Sequence, residues 1–174
     1  TQRRRLVNEL QTVNPFLYEA YIHARRHAEG TSFFVQKAGR FPLTGCGDIN
    51  TYALFSESNR AIVGPGGRAG FIVQSDIATS ETYKDFFASL LEKRQLISLF
   101  DFVNTEGLFP GVHRTHPHFC LVTLGPPNSS DRADLAFWNT NVGHLREPDR
   151  HFSLSFAELA AINPETRNCA VFRS

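Results

Sequence analysis

Residues 68–74 read RAGFIVQ and residues 96–103 read LISLFDFV. The first is a continuous apolar run rather than an alternating one, the pattern of a strand covered on both faces, and the second is again strand-like. Between them, residues 81–93 (ETYKDFFASLLEK) put Tyr83, Phe86, Phe87, Leu90 and Leu91 on one helical face, with Ser80 as the expected cap. Strand, helix, strand in that order predicts two parallel strands joined by a crossover. Residues 119–124 (FCLVTL) and 133–138 (ADLAFW) add two more apolar runs. No helix separates 96–103 from 119–124, so this third strand is expected to lie antiparallel to a neighbour. The fold class that follows is α/β.

Outward from this stretch the signals are helical and turn-like. Leu6, Leu10, Val13, Leu17, Tyr21, Ala24 and Ala28 recur every three or four positions, which predicts N-terminal helix. Pro15 does not fit inside one uninterrupted run, so Asn14 and Pro15 are expected to cap and open a second segment. Gly30 is expected to end that segment, with a short helix at 31–37. Residues 50–63 read as helix, Gly64-Pro65-Gly66-Gly67 as a tight turn, and 75–79 as a loop. Residues 104–117 and 125–132 are loops rich in Gly, Pro and polar residues. Ser155 and Glu158 form a capping-box pattern opening a helix to Ile162, and 169–172 reads as a last strand or extended end.

With 174 residues and 19.6 kDa the chain is long enough for one domain with a real core. A net charge of +1 with 20% charged residues argues against a polybasic tail or an acidic disordered segment, and 41% hydrophobics with 16 Phe argue for a globular chain. No apolar run approaches the ~18 residues of a membrane span, and the polar start is not a signal peptide. Cys46, Cys120 and Cys169 make an odd count without paired spacing, which favours a reducing cytoplasm. The chain opens on Thr1 and holds no Met, which suggests a piece of a larger protein.

Several groups invite a chemical reading. The Gly64–Gly67 turn lies after a helix and before a strand, the reverse of a phosphate loop, so it reads as a structural turn. His113, His116, His118 and Cys120 offer nitrogen and sulfur donors within reach of one zinc, but lack a second Cys or His pair at zinc-finger spacing. His23 and His27 are one helical turn apart, and two ligands do not make a site; no metal is expected. No G-x-S-x-G elbow is present, and Cys46 has no evident base partner. Arg3, Arg4, Arg5, Arg25 and Arg26 make a basic helical start, read as a solvated face or as phosphate contacts. Residues 107–112 (GLFPGV) place Phe109 at a loop tip, where an aromatic ring either closes over the core or stacks on a flat ligand such as a nucleobase.

Taken together, residues 64–73 (GPGGRAGFIV), 75–79, 96–104 (LISLFDFVN), 108–112 (LFPGV) and 119–124 (FCLVTL) resemble the rear half of adenine-specific (N6) DNA methyltransferases of the restriction–modification type. The nearest look-alikes are the large fused restriction/modification methylases and related phage-defence methylases. Residues 39–55 (GRFPLTGCGDINTYALF) and 163–174 (NPETRNCAVFRS) resemble the flanking segments, so the resemblance runs from 39 to 174. It implies a partial Rossmann-like methyltransferase sheet, strands five to seven, mixed parallel and antiparallel, with N-terminal helices. The implied division is a helical segment at 1–38, the rear half of the methyltransferase domain at 39–140, and a connection toward a target-recognition region at 141–174. Residues 68–74 would be the fifth strand, 96–103 the sixth and 119–124 the seventh, the last two an antiparallel pair.

By the same resemblance Phe109 stacks on a flipped adenine, while Asp48, Asn50 and Tyr52 line the target-base pocket. The resemblance also implies S-adenosylmethionine as cofactor, double-stranded DNA as partner and a bacterial cytoplasm. Two of the family's motifs are missing. Neither the glycine-rich donor motif nor the Asn/Asp-Pro-Pro-aromatic catalytic motif is present; Asn14-Pro15-Phe16 lacks the second Pro. The expectation is one wall of a base pocket, inactive alone, with no catalytic residue of its own and an unpaired apolar edge along 68–74 open to association. The N-terminal helices, another chain or further protein would cover that edge. A non-catalytic α/β module binding nucleic acid or protein through the Arg-rich helix and the Phe109 loop is the alternative.

Overall fold

The computed structural model describes residues 2–112 and 118–172. Two compact units divide the chain, Thr1–Pro42 and Leu43–Ser174. The first holds α1 (Gln2–Val13) and α2 (Pro15–Lys37). The break between them is the expected one. Asn14 Oδ1 accepts from the Leu17 amide at 3.1 Å, and Pro15, which has no amide hydrogen to lose, is the first helical residue. Gly30 does not end the helix, as had been expected; α2 runs through it to Lys37. A single glycine costs about 1 kcal/mol against alanine in a helix, which the surrounding ladder absorbs.

In the second unit the order is α3 (Thr51–Ile62), β1 (Ala69–Gln74), α4 (Asp76–Thr79), α5 (Lys84–Glu92), β2 (Leu96–Val103), β3 (His118–Leu124), β4 (Arg132–Asn139), β5 (His151–Ser155) and α6 (Phe156–Ile162). The sheet is mixed, as the α/β reading required, with spatial order β1-β3-β2-β4-β5. β3 pairs antiparallel with both β1 and β2, β2 pairs parallel with β4, and β4 pairs antiparallel with β5. Thus β1 and β2 run in the same direction but are not neighbours, because β3 returns between them. The antiparallel pair expected of 96–103 and 119–124 is present.

Two local expectations need correction. Within 75–79, expected as a loop, Asp76–Thr79 form the short helix α4. Ser80 caps nothing; the chain enters α5 through a 3-10 turn at Glu81–Tyr83, and the buried Ser80 hydroxyl has no partner among the described residues. Of the two readings of 169–172, the one that is not a strand holds: the segment joins no sheet, and the Cys169 amide donates to the Ala78 carbonyl at 2.8 Å. β5 went unread in the sequence, where HFSLS offers no apolar run. The Ser155 capping box at α6 is present with both of its reciprocal bonds.

Register explains where the core sits. Val73, Cys120 and Asp101 share one cross-strand row, and Leu99, Val122 and Leu135 share the next on the same face. That face packs on Ile77, Phe86, Phe87, Leu90, Leu91, Phe156 and Leu159 from the helices. On the other face, Ile72, Leu121, Phe100, Ala136 and His151 form a row in which Ile72 is 55% exposed. β1 ends the sheet, so among the described residues its outer edge carries no strand. No described helix is long and apolar enough to cross a membrane.

Candidate functional site at the carboxyl ends of the strands

β1, β2 and β4 run the same way, so their carboxyl ends and the start of β3 meet along one edge of the sheet. In open α/β sheets this is the edge where ligands bind. Asp101 anchors it. It is the one charged residue in the run 96–103, and its side chain is 4% exposed. A buried carboxylate needs donors, and this one receives three. The Ser75 hydroxyl donates at 2.6 Å, the Trp138 amide at 3.2 Å, and His118 Nδ1 lies 3.2 Å from both carboxylate oxygens.

Trp138 reaches Asp101 because β4 bulges. Phe100 opposes Ala136 while Phe102 opposes Asn139, so β4 carries one extra residue, and Trp138 has φ 58°. A left-handed tryptophan is uncommon, and bulges of this kind redirect side chains beside functional sites. Its ring stands edge-on to His118 at 5.0 Å and is 36% exposed. Next to it, Asn139 Nδ2 donates to the Asp101 carbonyl at 2.9 Å, while its buried Oδ1 has no partner among the described residues.

The Phe109 loop follows β2 through a 3-10 turn at Asn104–Glu106. Asn104 is buried and spends its whole amide on the loop. Its Oδ1 accepts from the Phe109 amide at 2.9 Å, and its Nδ2 donates to the carbonyls of Phe109 at 3.1 Å and Val112 at 3.4 Å. Phe109 itself is 40% exposed, with one ring edge on Phe119 at 5.0 Å; Phe119 in turn stacks on Phe102. A flat ring is therefore supported from behind and open in front.

The other expected pocket residues gather at the start of α3. Asp48 is exposed, and Asn50 caps the helix by accepting from the Tyr52 amide at 3.4 Å. Tyr52 packs edge-on to Tyr83 at 5.8 Å. Burial first, then Tyr83, Asp76 and Cys120, pushes its phenol well above the ordinary range, so it stays protonated. Glu57 fixes α3 by accepting from the Thr44 amide at 2.9 Å and the Thr44 hydroxyl at 2.7 Å. Sequence reading passed over Asp101, His118, Trp138 and Asn139 as members of one site. The signal that could have found the first is its lone charge in an apolar strand.

Other candidate chemistry finds little support. His113 and His116 lie outside the described residues. Cys120 is buried, and burial, then the Asp101 charge, push its thiol above the ordinary range. Among the described residues no three His, Cys, Asp or Glu converge. Cys46 is exposed, with Sγ 3.3 Å from the Thr82 carbonyl. The glycine-rich turn closes through Gly67 amide to Gly64 carbonyl at 2.9 Å and leads from α3 into β1. It opens no helix, so it does not fit the donor cradle that S-adenosylmethionine requires.

The fold is similar to that of solved structures. A type I restriction–modification methyltransferase subunit from Streptococcus thermophilus superposes with a TM-score of 0.54 at 10% identity, over 81% of this chain and 35% of that one. The type IIG restriction endonuclease BpuSI matches with a TM-score of 0.43 at 22% identity, over 55% of this chain and 11% of that one. The chain therefore spans about a third of the first protein and about a tenth of the second. No family model matches the chain, and no curated protein does. The likeness to the methyltransferase subunit is one of fold, a partial methyltransferase-like α/β sheet.

Proposed function

We propose that this chain forms the rear part of an adenine-N6 DNA methyltransferase domain of a bacterial restriction–modification or phage-defence enzyme, whose whole protein transfers methyl from S-adenosylmethionine to a flipped adenine. The observation that carries the reading is the Phe109 loop. A half-exposed ring, braced by Phe119 and pinned by Asn104, stands at the carboxyl edge of a methyltransferase-like sheet. A flipped base loses its stacking neighbours, and a braced ring at that edge replaces one of them. Asp48, Asn50 and Tyr52 border the same pocket in this reading. The donor's own binding falls to parts of the enzyme other than the glycine-rich turn. The open edge of β1 would pair with a further strand in the complete domain.

The test is methyl transfer to duplex DNA by the parent enzyme carrying Phe109→Ala or Phe109→Trp. Loss of stacking, worth ~1–3 kcal/mol, lowers kcat/KM by roughly 5- to 150-fold for the alanine variant, while tryptophan retains most of it. Equal activity in all three proteins, or robust turnover by the isolated chain, sinks the proposal.

A further inference from the structure

The charges of the chain are segregated. Before residue 43 there are seven Lys and Arg against three Asp and Glu, a balance of +4; from residue 43 on there are 11 against 14, a balance of −3. The overall +1 conceals this division; α1 and α2 together carry +3 of the positive share, and Arg40 the rest.

Within that unit the arginines converge. Arg3, Arg4, Val7 and Asn8 of α1 face Tyr21 and Arg25 of α2 across one cleft. Among the described residues neither Arg3 nor Arg4 has a carboxylate partner; Arg25 shares its charge with Glu29 at 3.4 Å, and its guanidinium lies 6.0 Å from the Tyr21 ring centre. No acid lines the cleft. Three like charges around one open space repel each other, and an anion placed between them reverses the sign of that interaction. Asn and Tyr are among the neutral side chains that commonly hydrogen-bond phosphate oxygens beside arginine.

We infer that this cleft grips the phosphate backbone of duplex DNA, holding it without reading sequence. The inference rests on the reading of the chain as part of a DNA-modifying enzyme and assigns that enzyme a contact surface outside the sheet. Arg3, Arg4 and Arg25 supply charge, and Asn8 and Tyr21 supply neutral contacts. Charge dominates the lining, three arginines against one aromatic ring, Tyr21, and one apolar side chain, Val7.

Fluorescence anisotropy with a labelled 20-base-pair duplex tests this on the intact chain, and circular dichroism confirms that each variant keeps its helices. Three phosphate contacts predict that affinity falls roughly 40-fold between 50 and 200 mM salt. Substituting Arg3→Ala, Arg4→Ala and Arg25→Ala together should abolish binding at 50 mM salt, while Arg94→Ala, in the acidic unit, leaves it unchanged. Binding that survives the triple substitution, shows no salt dependence or is absent at 50 mM salt overturns the inference. So does equal affinity for polyglutamate, which would mark an acidic protein partner instead. The readout does not pass through Phe109. Loss of this inference leaves the methyl-transfer test standing, and failure of that test leaves this one readable.

Discussion

Asn104→Ala removes the three hydrogen bonds that tie the Phe109 loop to the end of β2, at 2.9, 3.1 and 3.4 Å. Each is worth about 1 kcal/mol net, and the longest less, while loop carbonyls near the surface regain some water. The expected cost is about 2 kcal/mol, a large share of the 5–15 kcal/mol that typically holds a domain together. Asn104→Asp is the sharper probe. It keeps an acceptor for the Phe109 amide but sets a charged oxygen against two carbonyls that formerly received a donor, so its cost should equal or exceed that of alanine. Trp138 is the chain's single tryptophan and stands at the same edge of the sheet, so urea unfolding followed by its fluorescence reads the loss. Amide exchange at Phe109 should accelerate roughly 30-fold in Asn104→Ala, the equivalent of 2 kcal/mol. An alanine variant within 0.5 kcal/mol of the parent chain, with Phe109 exchange unaltered, would refute the claim that Asn104 holds the loop.

Thiol chemistry should separate the cysteines: Ellman's reagent titrates Cys46 alone in the folded chain and all three after denaturation, because Cys120 and Cys169 are buried. The same burial makes stability fall in alkali. Burial and the Asp101 charge push the Cys169 thiol from 9.0 up to about 12, so above pH 9 the unfolded chain releases a proton that the folded one retains. Stability is then full below pH 9 and declines toward pH 12 by about 1.4 kcal/mol per pH unit for this thiol, a slope that Cys169→Ala should remove from urea-unfolding profiles. Gly125→Ala should destabilise by about 1–3 kcal/mol, since its Cβ would lie 2.7 Å from Ser129 Cβ and 3.0 Å from Ile97 Cδ1. Adding Ser129→Gly should recover at least half of that loss, and a purely additive pair would show that the crowding lies elsewhere.

What the sequence disclosed was local. Asn14 followed by Pro15, the Ser155 capping box and the apolar faces of α5 and β2 each carry their signal within a few residues, and each is present; β1 forms as a strand, but as the sheet's outer strand it leaves Ile72 55% exposed and is not covered on both faces. Strand order is a different kind of information. Nothing in FCLVTL says that it inserts between two earlier strands, because that choice is made by pairing partners 15 to 55 residues distant. Gly30 and Ser80 misled for the opposite reason. Each has a strong local preference that its surroundings outweigh, the one inside an established helix, the other ahead of a 3-10 turn.

The candidate site was legible only in part, and physics says which part. Phe109 stood out because a bulky ring at a Gly/Pro-rich loop tip is locally conspicuous. Asp101 was equally conspicuous in principle. A carboxylate inside LISLFDFV either breaks the strand or finds donors, and burial at 4% exposure without them would cost several kcal/mol. Its presence alone implies that hydroxyls, amides or imidazoles converge on it from elsewhere in the chain. Ser75, His118 and the Trp138 amide are those donors, contributed by three different segments. The last of them requires a left-handed tryptophan and a bulge that no residue pattern in ADLAFW announces. A lone charge in a buried run can therefore be read as a demand for partners even where the partners themselves cannot be named. Here that demand marks the strand edge on which the Phe109 loop is mounted.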